Sequence, residues 1–133
     1  MSPRLRAAAI TLTSLITVSV GGCSSTTELV QINVQSLLSD ARDGSVLAGQ
    51  IVAGRASSTF GRAHARELQD DVDQVEQNVY DERLPGHQAI QQLADQISTA
   101  LGGIVIEPDN PSVARQARTK LLQLSDQASR MSP

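Results

Sequence analysis

The sequence contains very few aromatic and thiol side chains. Its 133 residues include one cysteine, one phenylalanine, one tyrosine and no tryptophan. A single cysteine cannot form a disulfide framework within the chain. The scarcity of aromatic rings argues against sites that stack on sugar rings, and it limits the anchors available at a protein interface. We therefore expect neither a disulfide-stabilised scaffold nor a carbohydrate-binding platform.

The common catalytic motifs are also missing. The chain has no Gly-x-Ser-x-Gly, no Ser-x-x-Lys and no glycine-rich phosphate loop followed by its lysine. The glycine pair 102–103 has no basic residue directly after it, which favours a helix end over a phosphate site. We expect no enzyme activity and no cofactor.

Positive charge is scarce in most of the chain. Arg4 and Arg6 stand in residues 1–22, which leaves nine basic residues against 14 acidic ones and a net charge of −5 for residues 23–133. A domain with this balance and no basic cluster is a poor partner for nucleic acid. Its length allows one small domain.

The N-terminal segment has the pattern of a secretory signal. Arg4 and Arg6 form a basic start, and residues 7–22 carry no charge. The apolar part, residues 7–20, is too short to cross a bilayer but has the length of a signal-peptide core. The segment therefore predicts export across the cytoplasmic membrane.

The segment ends in Val20-Gly21-Gly22-Cys23. This sequence resembles the lipobox of bacterial lipoproteins, in which an aliphatic residue and two small residues precede a lipidated cysteine. The resemblance covers residues 1–23 only. It implies cleavage between Gly22 and Cys23, a diacylglyceryl group on the Cys23 sulfur, and a place on the extracytoplasmic face of a cell membrane. Two acyl chains anchor a protein far more firmly than one.

Two alternatives to the lipid anchor stay open: an uncleaved helix with an incidental cysteine, and a secreted protein that is cut nearby. The expected organisation is a signal peptide over residues 1–22, the lipidated cysteine with a short polar tether over 23–27, and a folded domain over 28–133.

Four later segments show helical periodicity, and none shows sustained alternation of period two. The first has an apolar face over residues 30–41, with Thr27 as its N-cap and Gly44 as its predicted end. The second covers residues 45–82, with a bend expected near 55–61. Whether this segment forms one bent helix or two stays open.

The third segment has its apolar face over residues 90–101 and is expected to end at the glycine pair 102–103. We expect the apolar run 104–106 to lie in a loop. Asn110 is the predicted N-cap of the fourth helix, with Pro111 at its first position. Because short connections favour antiparallel neighbours, the sequence predicts an all-α fold, a small antiparallel bundle of about four helices.

Small side chains recur every four residues in the second segment: Ser45, Gly49, Ala53, Ser57, Gly61 and Ala65. Such a row on a helix allows another helix to approach closely. One interpretation is a partner or self-association face through Gly49, Ala53, Ser57 and Gly61. The other, which we favour, is close packing against the first helix of the same chain.

Acidic residues crowd the end of the second segment and form a candidate contact face: Glu67, Asp70, Asp71, Asp73 and Glu76. This face could attract a divalent cation or a basic partner, but it lacks the spacing and the glycine of a calcium loop. The simpler interpretation is a solvated helix surface, partly paired with Arg115, Arg118 and Lys120 on the fourth segment.

A metal site is a further possibility at the spacing of His64, Glu67 and Asp71, which places the three on one helical face. A zinc ion there would need a ligand from elsewhere, such as His87. Because the only cysteine is assigned to the anchor and the chain has two histidines, we expect no dedicated metal site.

Two functions from different classes fit these features. The first is a non-enzymatic, membrane-anchored lipoprotein with an interaction or envelope-structural role. The alternative is a carrier that opens its bundle to hold a lipid or another small apolar ligand, because an aliphatic, alanine-rich core can leave a cavity.

Overall fold

The computed structural model describes residues 26–132. These residues form four helices and no strand: α1 (Thr26–Val52), α2 (Ser58–Asp81), α3 (His87–Ile106) and α4 (Pro111–Met131). Each helix packs against the next, and α4 returns to pack along α1, while α2 and α4 do not contact each other. The predicted small all-α bundle is confirmed. The predicted signal peptide, the cleavage position and Cys23 lie outside the described residues.

The predicted end of the first helix at Gly44 is wrong. Helix α1 continues through Gly44 to Val52. A Cβ atom at position 44 would lie 2.8 Å from Cδ2 of Leu101 and 3.0 Å from Cδ1 of Leu121. The glycine therefore serves the close approach of α3 and α4 to α1. Continuation of the helix beyond it also buries Leu47, which outweighs the roughly 1 kcal/mol that glycine costs inside a helix.

Residues 45–82 form parts of two helices, because the chain turns at residues 53–57. Gly54 adopts a left-handed backbone conformation in this turn, with φ of 70°. The Ser57 hydroxyl then accepts the backbone N–H of Phe60 and caps α2. The bend predicted near residues 55–61 is thus a complete break, and residues 45–52 belong to α1.

The third helix also runs through its predicted end. Residues 104–106, expected in a loop, form the last turn of α3. Ile104 continues the spacing of Ile97 and Leu101, and all three side chains are buried. Their burial explains why the glycine pair does not end the helix. The predicted start of α4 is confirmed, since the Asn110 side chain accepts the N–H groups of Ser112 and Val113.

Aliphatic side chains from all four helices fill the core. Its largest fully buried members are leucine, isoleucine and valine: Leu37, Leu47, Ile90, Leu93, Ile97, Leu101, Ile104, Leu121, Leu124, Val34, Val72 and Val79. Both aromatic side chains, Phe60 and Tyr80, lie on the surface. Over residues 26–132, no helix combines the length and the apolar character that a membrane span requires.

Candidate functional site

The predicted acidic face lies on α2, but its predicted pairing with the basic residues of α4 is wrong. Helix α2 packs between α1 and α3 and does not contact α4. Its acidic residues therefore divide between two neighbours. The negative charge of Asp71 helps to raise the pKa of Asp40 on α1. Glu76 instead feels the negative charge of Asp95 on α3. Partial burial, together with the charges of Asp95 and Asp73, raises the pKa of Glu76.

Asp40 is the functional candidate that the sequence reasoning missed. Only 8% of this residue is exposed. Burial, reinforced by the negative charges of Asp71 and Asp43, raises the pKa of its carboxyl group from 3.8 to about 7. A signal was present in the sequence, because Asn33, Leu37, Asp40 and Gly44 follow one another at spacings of four, three and four. All four residues are buried.

The Asp40 carboxyl group has neither a hydrogen bond nor an ion pair with any residue of the described chain. Every fully buried side-chain oxygen in this part of the protein has a partner. The carboxyl oxygens of Asp40 must therefore open to solvent. They do so into a groove of about 380 Å³ between α1 and α2, which we call the α1/α2 groove.

The α1/α2 groove is lined by polar and apolar side chains and by no basic one: Ile32, Asn33, Ser36, Ser39, Asp40, Asp71, Gln74, Val75 and Asn78. The amide nitrogen of Asn33 donates to the Leu29 carbonyl oxygen at 2.7 Å. The amide nitrogen of Gln74 donates to Oδ1 of Asn78 at 3.0 Å. The groove therefore presents amide and hydroxyl groups beside two carboxylates.

The residues considered as possible metal ligands do not all come together. Nδ1 of His64 lies 3.5 Å from Oε2 of Glu67, and its ring stacks on Phe60 with a centroid separation of 5.6 Å. His87 follows the far end of α2, where its Nδ1 lies 3.1 Å from the Leu84 carbonyl oxygen. Among residues 26–132, no group of three or more His, Cys, Asp or Glu side chains is placed to hold a metal ion.

The row of small side chains over residues 45–65 does not lie on one helix, because its first two members belong to α1 and its last two to α2. A Cβ atom on Gly61 would lie 3.2 Å from Cδ1 of Ile51 in α1. Gly49 borders the side chain of Arg118 in α4. Both glycines therefore take part in packing within the chain. A role in self-association remains a prediction.

A second groove, between α3 and α4, has a volume of about 480 Å³. Ala100, Val113 and Ala117 supply much of its apolar surface, and Asp95 and Lys120 add one charge of each sign. The groove is open to solvent.

The end of the bundle formed by the α1–α2 turn and the α3–α4 loop exposes two large apolar side chains. Phe60 is 52% exposed and Ile106 is 77% exposed. Nε of Arg62 donates to the Val105 carbonyl oxygen at 3.0 Å and joins the start of α2 to the end of α3. This end of the protein therefore offers apolar contact area on connected elements.

No protein family, curated protein or solved structure matches this chain.

Proposed function

We propose that this protein is a non-enzymatic lipoprotein, anchored through Cys23 on the extracytoplasmic face of a cell membrane, whose helical bundle binds a protein partner in the envelope. The observation that carries the proposal is the Val20-Gly21-Gly22-Cys23 sequence after a basic start and an uncharged apolar run. An interaction role agrees with the two surface features of the bundle, the unpaired buried carboxylate in the α1/α2 groove and the exposed apolar end.

The position of α1 relative to Cys23 supports presentation of the bundle from a membrane. Helix α1 begins at Thr26, three residues after Cys23. Three residues extend over about 10 Å at most. The start of α1 would therefore lie close to the lipid headgroups. The 27 residues of α1 correspond to a length of about 40 Å, so the opposite end, with Phe60 and Ile106, can reach a partner away from the headgroups.

The alternative function, a carrier of a lipid or small apolar ligand, is favoured by one feature, the apolar surface of the α3/α4 groove. A ligand in that groove would remain partly exposed to solvent. Small-molecule sites usually bury most of their ligand. Partner binding therefore has the stronger support.

The anchor is tested by the intact mass of the protein extracted from its own membranes in mild detergent. We expect a polypeptide that begins at Cys23 and carries a diacylglyceryl group. The Cys23→Ala variant should lose the lipid and the cleavage, whereas the matched Ser24→Ala variant should retain both. Intact mass is a better test of the anchor than co-sedimentation with membranes, because an uncleaved apolar segment can itself hold a precursor at the membrane. An unmodified or uncleaved wild-type mass would refute the anchor.

A further inference from the structure

We propose that the α1/α2 groove binds an arginine or lysine side chain of the partner protein, with the carboxylates of Asp40 and Asp71 holding the cationic head group. This inference rests on the proposed function in one respect, that the bundle has a protein partner. It adds the chemistry of the contact and the residues that make it.

The first step is the state of Asp40 in the protein alone. The residue is only 8% exposed, and its carboxyl oxygens, which open into the groove, have no cation or hydrogen-bond donor as a partner in the described chain. A buried carboxylate without a partner is costly, and a cation removes that cost by direct pairing. Asp71 adds a second negative charge at the same groove, and the groove lining contains no Lys, Arg or His. A cation that pairs with Asp40 must therefore come from outside the groove lining.

The second step is the kind of cation that fits. Ile32, which is 59% exposed, and Val75, which is buried, stand among the residues that line the groove. Arginine and lysine carry their charge on an aliphatic stem that packs on such apolar surface. A calcium ion prefers six to eight oxygen ligands. Among the described residues, no group of three or more His, Cys, Asp or Glu side chains is placed to hold a metal ion, and the apolar part of the lining favours a cation with an aliphatic stem.

The third step is hydrogen bonding around the carboxylates. The amide nitrogens of Asn33 and Gln74 each use one of their two N–H donors in a hydrogen bond within the protein. Their carbonyl oxygens can accept from a bound cation. A guanidinium group has five N–H donors and can pair with carboxylate and amide oxygens together, which makes arginine the better fit.

The test uses the full chain, purified from membranes in mild detergent, and a short fluorescent peptide of alternating arginine and alanine. A second peptide replaces each arginine by citrulline, which keeps the shape and removes the charge. Fluorescence anisotropy should show binding of the arginine peptide and at least tenfold weaker binding of the citrulline peptide. A charge-assisted hydrogen bond is worth about 1.5–3 kcal/mol, or roughly 10- to 150-fold in affinity.

The variants Asp40→Asn and Asp71→Asn should each weaken binding of the arginine peptide by tenfold or more. Asp73→Asn is the matched control, because it removes the same charge from an exposed position on α2 that does not line the groove. It should change the affinity by less than about twofold, as expected for a screened surface charge. Far-ultraviolet circular dichroism of each variant verifies that the helices are intact.

Several results would overturn the proposal. Equal losses in Asp40→Asn and Asp73→Asn would show diffuse attraction to an acidic surface. Equal binding of the arginine and citrulline peptides would show that charge is not recognised. Tight, Asp40-dependent binding of spermidine or of calcium would assign the groove to a polyamine or to a metal ion. The anchor is judged separately: an unlipidated Cys23 with Asp40-dependent peptide binding would refute the anchor and leave the groove assignment standing.

Discussion

Replacement of Asp40 by asparagine should stabilise the protein at neutral pH, and by a much larger margin than in acid. Burial and the charges of Asp71 and Asp43 raise the pKa of Asp40 from 3.8 to about 7 in the folded protein. The folded chain therefore holds the carboxyl proton of Asp40 more tightly than the unfolded chain does. The stabilisation from protonated Asp40 is fully present below about pH 4 and is lost as the pH rises through about 7.

The magnitude follows from the difference in pKa between the folded and unfolded chain. About three pH units at about 1.4 kcal/mol each amount to roughly 4 kcal/mol of lost stability at alkaline pH. Asparagine has a similar shape and does not titrate. Its amide changes stability by the same amount at every pH, so the pH-dependent part isolates the carboxyl group. Between about pH 4.5 and about pH 7.5, the advantage of Asp40→Asn over the wild type should grow by about 3 kcal/mol.

Urea unfolding followed by circular dichroism, at a series of pH values, measures this difference. The wild type, Asp40→Asn and the control Asp73→Asn should share one m value, since the same surface is exposed on unfolding. The control should run parallel to the wild type, because residue 73 is exposed on α2. A constant gap between Asp40→Asn and the wild type across the pH range would refute the burial of an ionisable, unpaired carboxylate.

Two further predictions concern packing and capping. Gly44→Ala should lower the free energy of unfolding by about 1–3 kcal/mol, because a Cβ atom there would lie 2.8 Å from Leu101 and 3.0 Å from Leu121, both wholly buried. The matched Gly49→Ala has ordinary contact space and should raise stability by up to about 1 kcal/mol; equal urea midpoints for the two variants would contradict this reasoning. Asn110→Ala removes the acceptor for two N–H groups of α4 and should cost about 1 kcal/mol, whereas Asn110→Asp should keep most of that stability. If Asn110→Ala had the same melting temperature as the wild type, that result would argue against the cap.

The sequence predicts the helices well and two of their ends badly. Apolar spacing identifies each buried face, because burial of that face is what holds a short helix in place. Both wrong ends fall on glycines. A glycine can end a helix or allow two helices to touch, and the choice depends on contacts between distant parts of the chain. Gly44 lies against Leu101 and Leu121 of other helices, which local sequence does not reveal.

The candidate site was only half predictable for a related reason. The acidic composition of α2 is evident from the sequence, but the neighbours of α2 are a property of the bundle. Helices α1 and α3 flank it, so Asp71 joins the α1/α2 groove while Glu76 faces Asp95. Asp40 escaped notice because one acidic residue within an apolar helix is commonly a surface residue. Its spacing from Leu37 and Gly44 indicated burial, and the packing of α1 against α2 leaves only 8% of the residue exposed.

The stability and binding predictions for Asp40 both depend on the free energy of ionising its carboxyl group in the folded protein. The burial that makes the free carboxylate costly also makes a cation that reaches it effective, because an ion pair in a partly buried groove is screened less by water than one on the open surface. A bound cation favours the charged form and lowers the pKa of Asp40. Saturating arginine peptide should therefore stabilise the wild type more at about pH 7.5 than at about pH 4.5, where the carboxyl group is protonated. Asp40→Asn should gain little at either pH. Equal stabilisation of the two proteins by the peptide would place the binding site elsewhere than in the α1/α2 groove.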